Sequence, residues 1–440
     1  MVHRIHSLKK TALSLFLLAS SLAYPRIQID NESVGVQAEW GKPGVILMHT
    51  PDSEMFPGAL HANAALFQDP LDTHAAAAEH KAYIKKLEET GATVVRIEDV
   101  LLQDTLDEQG NKVEGPALEE LRTFAEKSLT YSYPDEWTTQ EKQEQQDYKK
   151  ETLEKLHPHD LLRIILEKPT VELEKSSEDN TQFIAKNYKL EPMANTHFLR
   201  DQQITTDKGV VLGNMNSTQR NLEVDLMAFV FKKIGVTPIY RVTGEGRLEG
   251  GDFIPAGDFA LIGQGLRTNA EGIQQLFENK VFGYKEVAVV KDPFRHQDQM
   301  HLDTYFNVAG PKTAVVDTIR REKGTITRDD ITRPIRPTVD IYNKNDDNSY
   351  TKVQEDVDFF DYIENQKGFT IKDLDDSEQL TYGCNFLCVG ENEIIGVTNV
   401  SNEYEQKLSD AGISVTTTEF GNITKSYGGP HCTTQVINRS

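Results

Sequence analysis

Residues 74–100 (HAAAAEHKAYIKKLEETGATVVRIEDV) place apolar positions at helical spacing up to a glycine, then switch to a β-branched run. That pattern predicts a helix closed at Gly91 and a strand beyond it. Residues 221–242 (NLEVDLMAFVFKKIGVTPIYRV) repeat the pattern with the break at Gly235, and residues 402–419 (NEYEQKLSDAGISVTTTE) with the break at Gly412. Strand-like runs at residues 210–213 and 393–397 precede the second and third copies, and residues 259–277 start a related strand, turn and helix. The predicted unit is strand, turn, helix, strand, used several times around one α/β chain.

Two stretches interrupt the rhythm. Residues 116–169 are charged and helix-forming, which predicts an inserted helical subdomain. Residues 323–376 are polar and loop-marked (RPIRPTVD, NKNDDNSY), which predicts a surface insertion between the last two repeats. At the start, His3, Arg4, Lys9 and Lys10 precede an uncharged run over residues 11–23 that ends Ser21-Leu22-Ala23. A basic start, a short apolar run and a small-x-small ending predict a signal peptide over residues 1–23. The protein would then be secreted or periplasmic, and cytoplasmic if the segment is simply an N-terminal helix. The run is shorter than the ~20 residues of a membrane span, so no stable membrane association is expected. The expected organisation is that leader followed by a single domain over residues 36–440.

Composition narrows the function. The chain of 440 residues has 69 Asp+Glu against 47 Lys+Arg, a formal charge of -22. Nucleic acid is excluded as a partner by that sign, because its phosphates need cationic neutralisation. The three cysteines, Cys384, Cys388 and Cys432, form no disulfide scaffold and no zinc-ligand spacing. Cys384 and Cys388 read as one strand, which would hold their Cα atoms roughly 13 Å apart, beyond the ~7 Å that a bridge allows. Both are expected to be free, small apolar residues of the core.

Four segments put a Cys, His or acid beside glycines or in loops: FLRD at residues 198–201, LEGGD at 248–252, HLDT at 301–304 and YGGPHCTT at 427–434. Each alone is weak. Together they supply a nucleophile, a proton carrier and four carboxylates, a complete set for attacking a cationic carbon. A guanidinium is a poor electrophile that carboxylates can grip through paired N–H bonds. A thiolate can attack it, and a histidine can pass the protons.

In this order the segments resemble the arginine deiminase family, with its N-x-x-F-x-R-D, E-G-G-D, M-H-L-D-T and C-terminal G-G-x-H-C. The chain shows Asn195, Phe198, Arg200 and Asp201, then Glu249 to Asp252, then Met300 to Thr304, and last Gly428, Gly429, His431 and Cys432. Residues 36–51 resemble the family's first strand, so the likeness runs over roughly residues 36–439. It implies a pentein fold, five ββαβ units around a pseudo-fivefold axis with the active site at the centre. It also implies Cys432 as nucleophile, His301 as general acid and base, Asp201 and Asp303 gripping the guanidinium, and Glu249 assisting at the same group. Phe198 would pack on the substrate's aliphatic stem. Asn195 and Gly429 would contact substrate, and Arg220 and Arg267 would meet its α-carboxylate. The implied substrate is L-arginine, with no metal and no organic cofactor; a homo-oligomer is expected.

One position departs from the family. Where bacterial arginine deiminases carry an arginine five residues before the nucleophile, this chain has Tyr427. Tyrosine offers a carboxylate a hydrogen bond but no fixed charge. Agmatine, peptidyl arginine or a modified arginine therefore remain alternatives, as does amidino transfer by the same Cys-His-Asp set. A secreted binding module with degenerate chemistry is the reading from a different class, and the intact Cys432, His301 and aspartates argue against it.

Overall fold

The three helix-closing glycines take the left-handed backbone that only glycine adopts without strain: Gly91, Gly235 and Gly412 have φ of 91°, 78° and 79°. Each ends a helix where the apolar pattern breaks, at Thr73–Glu89, Asn221–Lys233 and Tyr404–Asp410. The first of these is also capped at its start, where the Asp72 carboxylate accepts from the amides of His74 and Ala75. The computed structural model describes residue 24, residues 26–177 and residues 181–440. The expected signal segment, residues 1–23, lies outside them.

Each repeat folds into a three-stranded blade built the same way. An antiparallel hairpin leads to a helix or longer crossover, and a third strand returns parallel to the hairpin's second strand. The second blade is Gln203–Thr206, Gly209–Leu212 and Tyr240–Arg241; the third is Phe253–Ala256, Phe259–Gln264 and Glu286–Lys291. The fourth is Phe306–Gly310, Thr313–Asp317 and Thr370–Leu374; the fifth is Leu387–Gly390, Glu393–Val397 and Ser414–Thr418. The first blade closes the circle. Its central strand Pro43–Met48 pairs parallel with Thr93–Arg96 and antiparallel with the late strand Gln435–Arg439. The strand nearest the axis thus comes from the far end of the chain, with Leu47 opposite Gln435.

The crossover helices cover the outer sides of the blades. Cores form between them and the sheets, for example Tyr83, Leu87, Tyr404 and Leu408 with Ile394 and Ile395. Among the described residues no helix is long and apolar enough to cross a membrane.

Both insertions hold more strand than their sequence suggests. After the first blade come the helices Pro116–Ser128, Thr139–Lys155 and Pro158–Glu167. A sheet of Thr130–Ser132, Pro169–Lys175 and Phe183–Leu190 accompanies them and carries the insertion further. The strand Phe183–Leu190 is exposed nearly throughout, so it lacks the inside–outside alternation that marks a strand.

Residues 323–376 are not simply surface. Strands Thr338–Lys344 and Tyr350–Asp358 widen the third blade to five strands, and Thr370–Leu374 is the outer strand of the fourth. Cys384 is a further correction. Only Cys388 lies in a strand, Leu387–Gly390, whereas Cys384 closes a turn that follows Tyr382 at φ 64°. Both cysteines are free and buried.

Candidate active site

The strand of each blade that lies nearest the axis is entered from a loop at the same end of the ring. Asp201 sits just before Gln203–Thr206, Glu249 and Asp252 before Phe253–Ala256, His301 and Asp303 before Phe306–Gly310, and Cys432 before Gln435–Arg439. The fifth such loop, before Leu387–Gly390, carries Asn385, which the motifs did not mark. The fivefold repetition is what gathers residues scattered over half the sequence.

A narrow cleft at this meeting point is lined by Asn195, Phe198, Asp201, Arg220, Arg267, His301, Tyr427 and Cys432, among others. Cys432 Sγ lies 3.6 Å from Asp303 Oδ2. His301 Nε2 is 2.8 Å from Glu249 Oε2, and its Nδ1 is 3.8 Å from Asp201 Oδ1. Asp201 Oδ1 and Asp303 Oδ1 are buried with no hydrogen-bond partner among the described residues. A buried carboxylate oxygen left unpaired is costly, so both are positions that a cationic ligand would stabilise.

Electrostatics follow from burial and from the crowd of acids. Burial pushes the Cys432 thiol well up, and Asp303 and Asp201 push it the same way. Burial alone would lower His301, but Asp201, the Glu249 hydrogen bond and Asp252 outweigh it and raise the imidazole to about 9. Burial likewise would raise Glu249, yet Arg267 and His301 bring it down to about 2. The pair is a carboxylate and an imidazolium at neutral pH. Asp252 is pushed up to about 7 by burial against the pull of His301; its Oδ1 accepts from the Leu302 amide and fixes the turn that presents His301.

Several residues are placed differently from expectation. Glu249 does not reach into the cleft: one oxygen takes His301 and the other the Asn216 amide, 2.9 Å away. Gly429 gives its N–H to Asn385 Oδ1 at 2.9 Å and so shapes the nucleophile loop, with no donor left for substrate. Arg220 lines the cleft, but its donors are taken by Asp201 at 2.7 Å, by Glu223 and by the Asn195 carbonyl. It is a buried counter-charge to two acids. Arg267 is freer. One nitrogen donates to Gln297 at 2.9 Å, and its buried Nε has no partner among the described residues.

Asn385 also accepts from the Cys432 amide at 3.2 Å and donates to the Asp303 carbonyl at 3.0 Å, so it ties the nucleophile to the aspartate. Donor atoms of Asp201, Glu249 and His301 lie within 4.8 Å of one another, a spacing that could hold a metal ion. Two of those three donors already pair as Glu249 and His301. Cys384 and Cys388 stand apart from the cleft, their thiols pushed up by burial, Cys388 to about 12.

On the far side of Asn195 and Arg220 a wider cavity of about 550 Å³ opens between residues 57–65, the end of the helical insertion and residues 218–223. Asn195 and Arg220 form the wall shared by the two spaces.

A model of the arginine deiminase family matches residues 63–439. The chain is similar to the arginine deiminase of Halobacterium salinarum, 25% identical over 93% of this chain and 98% of that one. It is similar to the arginine deiminase of Limosilactobacillus reuteri, 26% identical over 91% and 96%. Among solved structures, the amidinotransferase SxtG of Microseira wollei superposes with a TM-score of 0.51 at 14% identity, over 92% of this chain and 97% of that one. DDAH of Pseudomonas aeruginosa, in complex with citrulline, does so with 0.50 at 14%, over 91% and 100%. These likenesses show the pentein fold. With its family match over most of its length, the chain belongs to the arginine deiminase family, hydrolases that act on the C–N bonds of linear amidines.

Proposed function

We propose that the protein hydrolyses L-arginine to L-citrulline and ammonia through a covalent intermediate on Cys432. The observation that carries this reading is the pair of buried, unpartnered oxygens of Asp201 and Asp303 beside the thiol and the imidazolium. A guanidinium entering between them would satisfy both through charge-assisted hydrogen bonds. Its positive charge would also offset the two carboxylates that hold the thiol neutral, so the nucleophile would be released only with substrate in place.

The thiol proton leaves to water once the guanidinium offsets the flanking carboxylates, and the thiolate Sγ bonds to the guanidinium carbon. The C–N bond breaks as the histidine protonates the departing nitrogen, which leaves as ammonia. Water, deprotonated by the now neutral His301, attacks the amidino-thioether carbon. The C–S bond breaks, the ureido product leaves, and the thiol regains a proton. Arginine plus water becomes citrulline plus ammonia, and the enzyme ends as it began. Glu249 holds His301 charged in the first half. Arg267, with donors to spare, would hold the α-carboxylate.

The test is a citrulline assay with arginine, agmatine and a blocked peptidyl arginine side by side; the reading requires free arginine to be the best of the three. Peptidyl arginine is the second reading, favoured by the wide cavity behind Asn195 and Arg220 and by neutral Tyr427. Export by the N-terminal segment is proposed as well, and N-terminal sequencing of the mature protein would detect cleavage after Ala23.

A further inference from the structure

We infer that His431 is a positioning residue of the reaction, the part that fixes how Asp303 presents its carboxylate to the substrate; this rests on the reading of Cys432 and Asp303 given above. His431 is fully buried, and its Nδ1 donates to Asp303 Oδ2 at 2.7 Å. That same oxygen faces Cys432 Sγ at 3.6 Å. A carboxylate can turn about its Cβ–Cγ bond. Pinning one oxygen with an N–H leaves the other, Oδ1, as the one aimed away and unpaired. Because His431 and Cys432 are consecutive, one short loop sets both the sulfur and the donor that orients the acid beside it.

The imidazole is itself held from behind. Its Nε2 faces Glu39 Oε1 at 3.6 Å, and Glu39 is locked by Arg439 at 2.7 Å and Arg200 at 3.3 Å. Burial would raise the Glu39 carboxyl, but the two guanidinium groups hold it well below the usual range. Arg200 ties the assembly back to the nucleophile loop through the His431 carbonyl at 3.3 Å and, by its own amide, the Cys432 carbonyl at 3.1 Å. A line of buried polar groups thus runs from Arg439 through Glu39 and His431 to Asp303. Its end at Asp303 is the one that meets substrate.

The two ring nitrogens make the idea separable by substitution. In His431→Asn the amide nitrogen falls near the place of Nδ1 and can still donate to Asp303. In His431→Gln it falls near Nε2 and can reach only Glu39. His431→Leu keeps volume and loses both. Misplacing a reacting group by about 1 Å can cost on the order of a hundredfold, so His431→Leu and His431→Gln should lose tens- to a hundredfold in kcat on arginine, with KM changed less. His431→Asn should recover most of that loss. Because Asn and Gln are both polar amides, their contrast stands even if the leucine variant folds poorly.

A second measurement needs no turnover: the ratio of Cys432 alkylation rates with a cationic haloamidine and with neutral iodoacetamide, read by mass spectrometry. That ratio should fall in His431→Gln and recover in His431→Asn. If His431→Asn is as poor as His431→Gln in both readouts, or if His431→Gln matches wild type, the positioning role is overturned. If wild type makes no citrulline from any guanidino substrate, the underlying reading fails instead, and the alkylation ratio still decides the role of His431.

Discussion

Glu249 Oε2 stands 2.8 Å from His301 Nε2, and the two groups are sealed from solvent together. Against burial, Asp201 and then Glu249 raise the imidazole to about 9, and Arg267 and then His301 lower the carboxylate to about 2. The charged pair explains how a histidine can be kept as a proton donor at neutral pH inside a dry cleft.

The pH dependence follows from that pair. The kcat/KM of the free enzyme should hold through neutral pH and fall as pH rises through about 9, where His301 loses its proton. Stability should move the same way. A folded value of about 9 against an ordinary 6.5 means a contribution fully present below 6.5 and lost as pH rises through 9. The gap in urea midpoint between wild type and His301→Gln should therefore be smaller at pH 10 than at pH 6. A gap that widens with pH would contradict the assignment.

Covalent catalysis gives the sharpest loss. Cys432→Ser should fold normally and retain less than a thousandth of turnover, on the scale seen when a nucleophile is removed. Cys384→Ser and Cys388→Ser should keep most activity, since both thiols are buried away from the cleft. A serine variant at position 432 with a tenth of wild-type activity would end the proposal.

The two glycines of the LEGGD segment should separate fold from chemistry. A Cβ at Gly250 would overlap the carbonyls of Arg200 and Gln203, which are backbone and cannot yield. Gly250→Ala should therefore destabilise the protein, by about 2 kcal/mol or more. At Gly251 the new atom would sit 2.6 Å from His301 Nδ1 and 2.9 Å from its Cβ. Gly251→Ala should cost activity through displacement of the imidazole, with a smaller loss of melting temperature. Equal effects in the two assays would refute the distinction.

Specificity rests on Arg267. Losing a charged contact to a desolvated carboxylate costs ~3 kcal/mol, so Arg267→Ala should lower kcat/KM on arginine about a hundredfold. Agmatine, which has no carboxylate, should be nearly unaffected. Tyr427→Arg should raise efficiency on arginine alone. Arg267→Ala hurting both substrates alike would favour the reading without a carboxylate contact.

The blade repeat was legible because helix periodicity, a glycine stop and a β-branched run are local signals, and four of the five axis loops carried recognisable residues. The fifth was not. Asn385 has no chemistry of its own, and only its place before the fifth inner strand marks it as the equivalent of Asp201 or Cys432. For Arg220 and Gly429 sequence shows a donor without showing which group it meets in the fold: Glu223 and Asn385 respectively. The strands Phe183–Leu190 and Tyr350–Asp358 were missed because they are edges exposed along most of their length, so polar residues fill both faces. His431 and Glu39 were named or passed over without a role, since a buried bridge between two acids leaves no mark in spacing.

The seam between Pro43–Met48 and Gln435–Arg439 also governs when the molecule becomes an enzyme. Joining such distant segments adds little to closure entropy, which grows only as the logarithm of loop length, but long-range pairing is slow. Cys432 lies three residues before Gln435, so the loop that carries it to the axis runs straight into that pairing. A refolding intermediate whose seam is open, even with its other blades built, lacks a thiol set among its acids and turns nothing over. Recovered turnover is therefore a clock for ring closure, and it should run behind any optical signal of collapse.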